Sequence, residues 1–280
     1  TFKRLSVIYC EKPIVEGRKM KRVALGFFII TGAYASSNTD VSKVFSDPAF
    51  SISSIYTSNM KHYENPENFS NLNISATISS KFKSKYPVSL TVFGTQTLGN
   101  QQDFLIGNTS ISFSDSFYYG INRSHSLILP TSENSRKNTN LRGTLSNNFS
   151  KSYELYEDEY LKITSTLLGG FVFNSHEYKT SILGTSAVNY GFSQGASFNF
   201  SYKNISLSTY FGAYQNYTYQ SNLAESYAMA QTLIIPAGDI QLSLTHSIGG
   251  SLLAPNGEDL GVQLFDSESS NLSFGLSTRF

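Results

Sequence analysis

Apolar residues recur at every second position through most of this chain. Leu72, Ile74, Ala76, Ile78 and Phe82 alternate with Asn71, Asn73, Ser75, Thr77 and Ser79. Far downstream, Leu272, Phe274, Leu276, Thr278 and Phe280 share one face, against Asn271, Ser273, Gly275, Ser277 and Arg279. A period of two marks a strand with one apolar and one polar side. The same rhythm runs through Val88, Leu90 and Val92, and through Leu141, Gly143, Leu145 and Phe149. It returns in Leu161, Ile163, Leu167, Phe171 and Phe173, and in Ile240, Leu242, Leu244 and Ile248. Ala196, Phe198, Phe200 and Tyr202, then Ile205, Leu207, Thr209 and Phe211, flank a tight Lys203-Asn204 turn and read as a hairpin. No segment has a strong 3.6-residue period. "KSYELYEDEYLK" (151–162) reads as a connection leading into a strand.

The pattern predicts about twelve strands, with ten or fourteen as alternatives. They fall near 50–58, 71–83, 87–97, 104–114, 117–129, 139–149, 160–174, 191–203, 205–217, 225–235, 240–250 and 269–280. A further hairpin inside "YKTSILGTSAVNYGF" (178–192) would make fourteen. Connections alternate between short and long, and the one after the sixth strand breaks the pattern by being longer than a tight turn. Ten-residue antiparallel strands joined by short turns on one side and long loops on the other are the plan of a transmembrane up-and-down β-barrel. Closure pairs every backbone group, as lipid demands. The alternative is a secreted soluble β-sandwich, but the strands are too long and even, and their second faces too polar.

The start of the chain bears on compartment. From Met20, Lys21 and Arg22 precede an apolar run, Val23 to Thr31, and then Ala33-Tyr34-Ala35. Charge, short apolar run and small-x-small site in that order predict a signal peptide over 20–35, cleaved after Ala35. Residues 1–19 read as an over-extended start. Residues 36–49 read as either a periplasmic segment or a plug, with the barrel over 50–280. Cleavage removes Cys10, the only cysteine, so no disulfide or thiol chemistry is expected.

Composition sharpens the class. There are 21 Phe, 18 Tyr and no Trp, and charged residues make up 15%. A net charge of +1 gives no reason to expect a nucleic-acid partner. No run of 18 apolar residues offers a transmembrane helix. Membrane lipid is the expected surrounding.

The last strand resembles the assembly signal of Gram-negative outer-membrane β-barrel proteins. Ser273, Gly275 and Phe280 match it, whereas Thr278 stands where an aromatic is preferred. The resemblance implies a porin-like barrel, with no specific family assigned, recognised by the barrel-assembly machinery.

Twelve strands should enclose a narrow or partly occluded pore. Its expected lining is Ser, Thr, Asn and Gln, with Arg142, Lys162, Tyr210, Tyr214, Gln241 and Arg279 as candidate lumen residues and Arg123 as a further one. No inward acid stands out, so the lumen reads as slightly cationic and narrowed by Tyr210 and Tyr214 beside Gly212. Each cation has a second reading, as the partner of a loop carboxylate. The expected function is passive diffusion of small polar or anionic solutes. One alternative is a closed barrel that works through its surface loops; the other is a lipase-like barrel enzyme.

For the enzyme, Arg123-Ser124-His125-Ser126 resembles the outer-membrane phospholipase family, whose members also have twelve strands. Adjacent strand residues point to opposite faces, so His125 and Ser126 are badly placed to pair. That family's His-x-Ser spacing is absent, and no enzyme activity is expected. His62, His176 and His246 are scattered, so no metal or other cofactor site is predicted. "YEDEY" (156–160) reads as a solvated acidic turn. Oligomeric state is not legible.

Overall fold

The computed structural model describes residues 45–61, 69–98, 104–180, 184–253, 261–266 and 269–280. Residues 1–44, with the expected signal peptide, Ala33 and Ala35, lie outside the described residues, as does His62. The strands are β1 (Phe45–Asn59), β2 (Ser70–Phe82), β3 (Tyr86–Leu98), β4 (Phe104–Ile106) and β5 (Thr109–Phe117). There follow β6 (Ile121–Leu129), β7 (Leu141–Glu157), β8 (Leu161–His176) and β9 (Val188–Tyr202). The last are β10 (Ile205–Thr218), β11 (Leu223–Ala237), β12 (Ile240–Ser251) and β13 (Ser270–Arg279).

All pair antiparallel in one sheet, and β1 pairs with both β2 and β13, so the sheet closes on itself. Strands β4 and β5 both pair with β3 and together make one wall strand, broken at Gly107-Asn108. The register slips by one residue between Thr91↔Ser110 and Gly94↔Ile106, which is a bulge. The result is a closed twelve-strand antiparallel barrel.

The connections 83–85, 118–120, 158–160, 203–204 and 238–239 are short and lie at one end, together with Phe45 and Phe280. The other end carries the longer connections 60–69, 130–140, 177–187 and 252–269, and the four-residue link 219–222. At the seam, Phe280 N–H donates to Phe50 O (2.8 Å) and Phe50 N–H to Phe280 O (3.2 Å).

Several expected boundaries move. Strand β1 begins at Phe45 rather than residue 50, so residues 45–49 belong to the wall. Pro48 and the positive φ of Asp47 (53°) interrupt the alternation there, and a register shift falls between Ser46 and Ala49. Strand β7 runs on to Glu157, eight residues beyond its expected end at 149. It therefore meets β8 through a tight 158–160 turn, and the short–long rule holds. The turn expected at Ser114-Asp115-Ser116 sits instead at Tyr118–Gly120. Among the described residues of 177–187, one isolated bridge, Thr180↔Ser186, is formed rather than a further pair of wall strands.

The two faces separate as the alternation predicts. Outward side chains such as Leu167, Phe173 and Leu244 are 53%, 46% and 45% exposed. In a sandwich these would be the core. In lipid each gains roughly 1.5–3 kcal/mol over water. Among the described residues only Tyr227 and Ile248 are buried large apolar side chains. Residues 261–266 fold onto this part of the outer wall: Gln263 N–H donates to the Tyr227 hydroxyl (3.0 Å), and Phe265 stacks on His246 (5.5 Å).

Candidate functional site: the lumen

The inner wall is built from small hydroxyl side chains that face each other across strand pairs. Ser53–Ser75 (2.7 Å), Thr77–Thr91 (2.9 Å), Ser112–Ser126 (2.8 Å), Ser152–Thr166 (2.8 Å) and Thr232–Thr245 (3.0 Å) each share a hydroxyl hydrogen bond. Each pair is directly in register, the arrangement in which cross-strand side chains stabilise a sheet. Thr144 donates to Asn174 (2.7 Å) and Thr95 to Asn73 (2.7 Å) on the same face. Most of these side chains are half-buried.

Tyr210 and Tyr214 lie on this face of β10, and their hydroxyls meet at 2.7 Å. They do not narrow the bore in the expected way. A Cβ at Gly212 would run into the Tyr210 ring, and one at Gly195 would stand 3.2 Å from its Cε2. The ring therefore lies back against the wall, over two glycines, in the space that a missing side chain leaves. Ser114, Ser124, Asn148, Ser193 and the two tyrosines border a hollow of about 420 Å³ along this side.

The expected lumen cations are mostly neutralised. Lys162 stands between Glu154 and Glu157, its Nζ 2.8 Å from an oxygen of each. Glu154 pairs in register with Thr164 and Glu157 with Lys162, so both acids share the inner face. The expectation of no inward acid fails here. Its cause is the early end assigned to β7, which left Glu154 and Glu157 in a connection. Arg142 sits at a bulge by the long-loop rim, 63% exposed and 2.9 Å from Glu177. Arg279 makes no ion pair among the described residues, and Gln241 accepts a long 3.4 Å bond from Ser277. Lys162, Arg142 and Arg279 are matched by Glu154, Glu157 and Glu177, so the slightly cationic lumen expected from the sequence comes out neutral over these groups, with Arg279 the cation among them outside an ion pair.

Arg123 belongs to the other face. Its register partners are Asp115 and Phe149, and its guanidinium grips Asp115 at 2.6 and 3.0 Å. His125 faces outward too, with Nδ1 hydrogen-bonded to Asn147 Oδ1. Ser126 points inward to Ser112, so strand geometry separates histidine from serine. The outward position two residues on is Leu127, which offers no nucleophile. The His125–Asn147 pair was invisible to sequence reading, because it depends on the register of two strands.

Ser273 and Gly275 are inner-wall positions of β13. The Ser273 hydroxyl meets Thr57 at 2.9 Å, and a Cβ at Gly275 would collide with Ser243. The Phe280 ring stacks on Phe50 at 6.2 Å.

No family model matches the chain, and no curated protein matches it in sequence. Solved structures do resemble it. An outer-membrane channel from Pseudomonas putida F1 superposes with a TM-score of 0.53 at 10% identity, over 85% of this chain and 96% of that one. The KdgM porin gives 0.48 at 8% identity, over 82% and 99%. An OmpF from Salmonella typhi gives 0.38 at 6%, over 84% and 97%. At such identity the likeness speaks for the fold. That fold is a closed antiparallel β-barrel, and the Pseudomonas outer-membrane channel is the neighbour that carries the likeness. In this chain the barrel has twelve strands.

Proposed function

We propose that this protein is an outer-membrane channel for passive diffusion of small polar solutes, with weak ionic selectivity. The observation that carries the reading is the inner wall. Its paired rows are mainly hydroxyl and amide, with Ile55, Phe93, Ile128, Leu168 and Val172 set among them, and the described residues contain no packed apolar core that would fill the bore. Selectivity is weak because Lys162 is offset by two acids and Arg142 by one. Any anion preference comes from Arg279 at the short-turn mouth.

Placement in the outer membrane rests on the same fold and on the signal-peptide pattern over 20–35. Assembly by the barrel machinery would read Ser273, Gly275 and Phe280, with lipopolysaccharide around the long-loop end.

The test is single-channel recording of the refolded chain in a planar bilayer under a salt gradient. Steady conductance with a small reversal potential is expected. A barrel that inserts and stays silent overturns the channel and moves the function to the long loops.

A further inference from the structure

The outer wall between β2 and β9 carries an arc of cations laid on aromatic rings, toward the short-turn end. Lys83 lies over Phe82 (5.5 Å to the ring centre) and Lys85 over Tyr86 (5.0 Å). Arg123 lies over Phe117 (5.2 Å), Lys151 over Tyr153 (5.2 Å), and Lys203 over both Tyr160 and Tyr202 (5.6 Å each). Each ring holds a long side chain against the wall near the level where bilayer hydrocarbon gives way to headgroups.

Two of these cations are concentrated on one turn. Lys83 and Lys85 flank Ser84 in the β2–β3 connection. The neighbouring β5–β6 turn brings Tyr118 and Tyr119, 74% and 84% exposed. Tyr86 and Phe113, with ring centres 5.5 Å apart, join the two strand ends. Arg123 is already committed to Asp115, and Lys81 to Asp47 at 2.9 Å. Lys83 and Lys85 make no ion pair among the described residues. Here, then, are two ammonium groups outside any ion pair, Lys85 with the Arg123-held Asp115 carboxylate in electrostatic range, on a turn next to one that carries two exposed phenols.

The backbone adds a separate observation. Lys83 and Lys203 have φ of 51° each, and Ser84 has 54°. Hairpin positions of this kind favour glycine or asparagine, since a side chain there is strained. Both turns keep a lysine where a glycine would be easier. At the long-loop end Lys137 is paired with Glu133 (2.6 Å) and Arg142 with Glu177, while Arg136 and Lys179 make no ion pair among the described residues but lie on separate long connections rather than on one tight turn.

We propose that the rim between the β2–β3 and β5–β6 turns is a binding site for an anionic phospholipid, with Lys83 and Lys85 holding its headgroup phosphate and Tyr118 and Tyr119 flanking the glycerol region. A phosphodiester with a further negative charge suits two ammonium groups. A zwitterionic headgroup brings its own cation and suits them less. The site rests on the reading of the barrel as membrane-embedded, because only a bilayer brings a headgroup to this level.

The test is native mass spectrometry of the refolded chain in detergent, titrated with phosphatidylglycerol or phosphatidylcholine of identical acyl chains. Wild type is expected to take up phosphatidylglycerol with a preference on the order of tenfold. The K83Q/K85Q variant is expected to lose that preference, and K137Q at the opposite end to keep it. Heat-modifiable migration on a gel confirms that each variant is a folded barrel; if the double variant does not fold, K85Q alone is expected to lower the preference severalfold. Equal uptake of the two lipids by wild type, or a preference that survives K83Q/K85Q, overturns the site while leaving a membrane barrel intact. Displacement of the bound lipid by inorganic phosphate alone also overturns it, since the site would then read a free anion. A chain that stays soluble and monomeric without detergent defeats the membrane reading itself.

Discussion

The hydroxyls of Tyr210 and Tyr214 meet at 2.7 Å although the two residues stand four apart on one strand. Extended residues at that spacing are roughly 13 Å apart, so both side chains must lean along the wall. Gly212, between them, is what lets the Tyr210 ring lie down. Replacing Gly212 by Val is expected to lift that ring into the bore. Conductance should fall, and the urea midpoint should drop by the equivalent of about 1–3 kcal/mol of overpacking. Unchanged conductance in a folded G212V barrel would show that the wall, not the ring, sets the bore.

The triad Glu154–Lys162–Glu157 gives a second prediction. With both acids changed to glutamine, Lys162 stands uncompensated on the inner face. The reversal potential in a salt gradient is expected to move toward anion selectivity. K162Q should move it the opposite way. R279Q should remove what anion preference the wild type has. No movement in any of the three would place the ion path away from this wall.

On the lipid side, D115N leaves the Arg123 guanidinium without its carboxylate. A lone cation on the lipid face is costly. The variant is expected to unfold at lower urea than wild type, and D115L/R123L to recover most of the loss. Equal midpoints for D115N and wild type would mean that Arg123 already reaches water or headgroups.

Asp158 caps the β7–β8 turn. Its carboxylate accepts the N–H of Leu161 (2.7 Å), the Tyr156 hydroxyl (2.8 Å) and the N–H of Tyr160 (2.8 Å). These bonds, Leu161's first, hold its pKa below the ordinary value near 3.8. A depressed acid stabilises the fold above its unfolded-state pKa and loses that contribution as pH falls through the folded one. D158A should therefore raise amide exchange at Tyr160 and Leu161 at neutral pH. The gap from wild type should close as the pH falls below the usual carboxylate range. A gap independent of pH would mean that the turn does not depend on the carboxylate charge.

Much of the barrel is legible in the alternation, because a wall between lipid and water imposes a period of two on every strand. The failures have physical causes. At Lys151 and Tyr153 the outward residues of β7 change to lysine and tyrosine, which breaks the apolar alternation, so β7 seemed to stop early. Asp115 looked like a turn former but is the ion partner of Arg123 on the next strand. The lumen charge failed as a consequence, since Glu154 and Glu157 were hidden in a strand not recognised. His125 and Asn147 lie 22 residues apart in sequence, and only the β6–β7 register brings them together.

The seam between Phe50 and Phe280 bears on how the molecule is made. The first wall strand has no second neighbour until the last is in place, so β1 keeps an open edge until the barrel closes. Every other strand can pair locally with the one before it. The closing step joins segments with nearly the whole chain between them, the slowest kind of contact to form unaided. An open edge is also the surface on which strands of other chains add. Closure by the last strand therefore removes the edge as well as completing the wall.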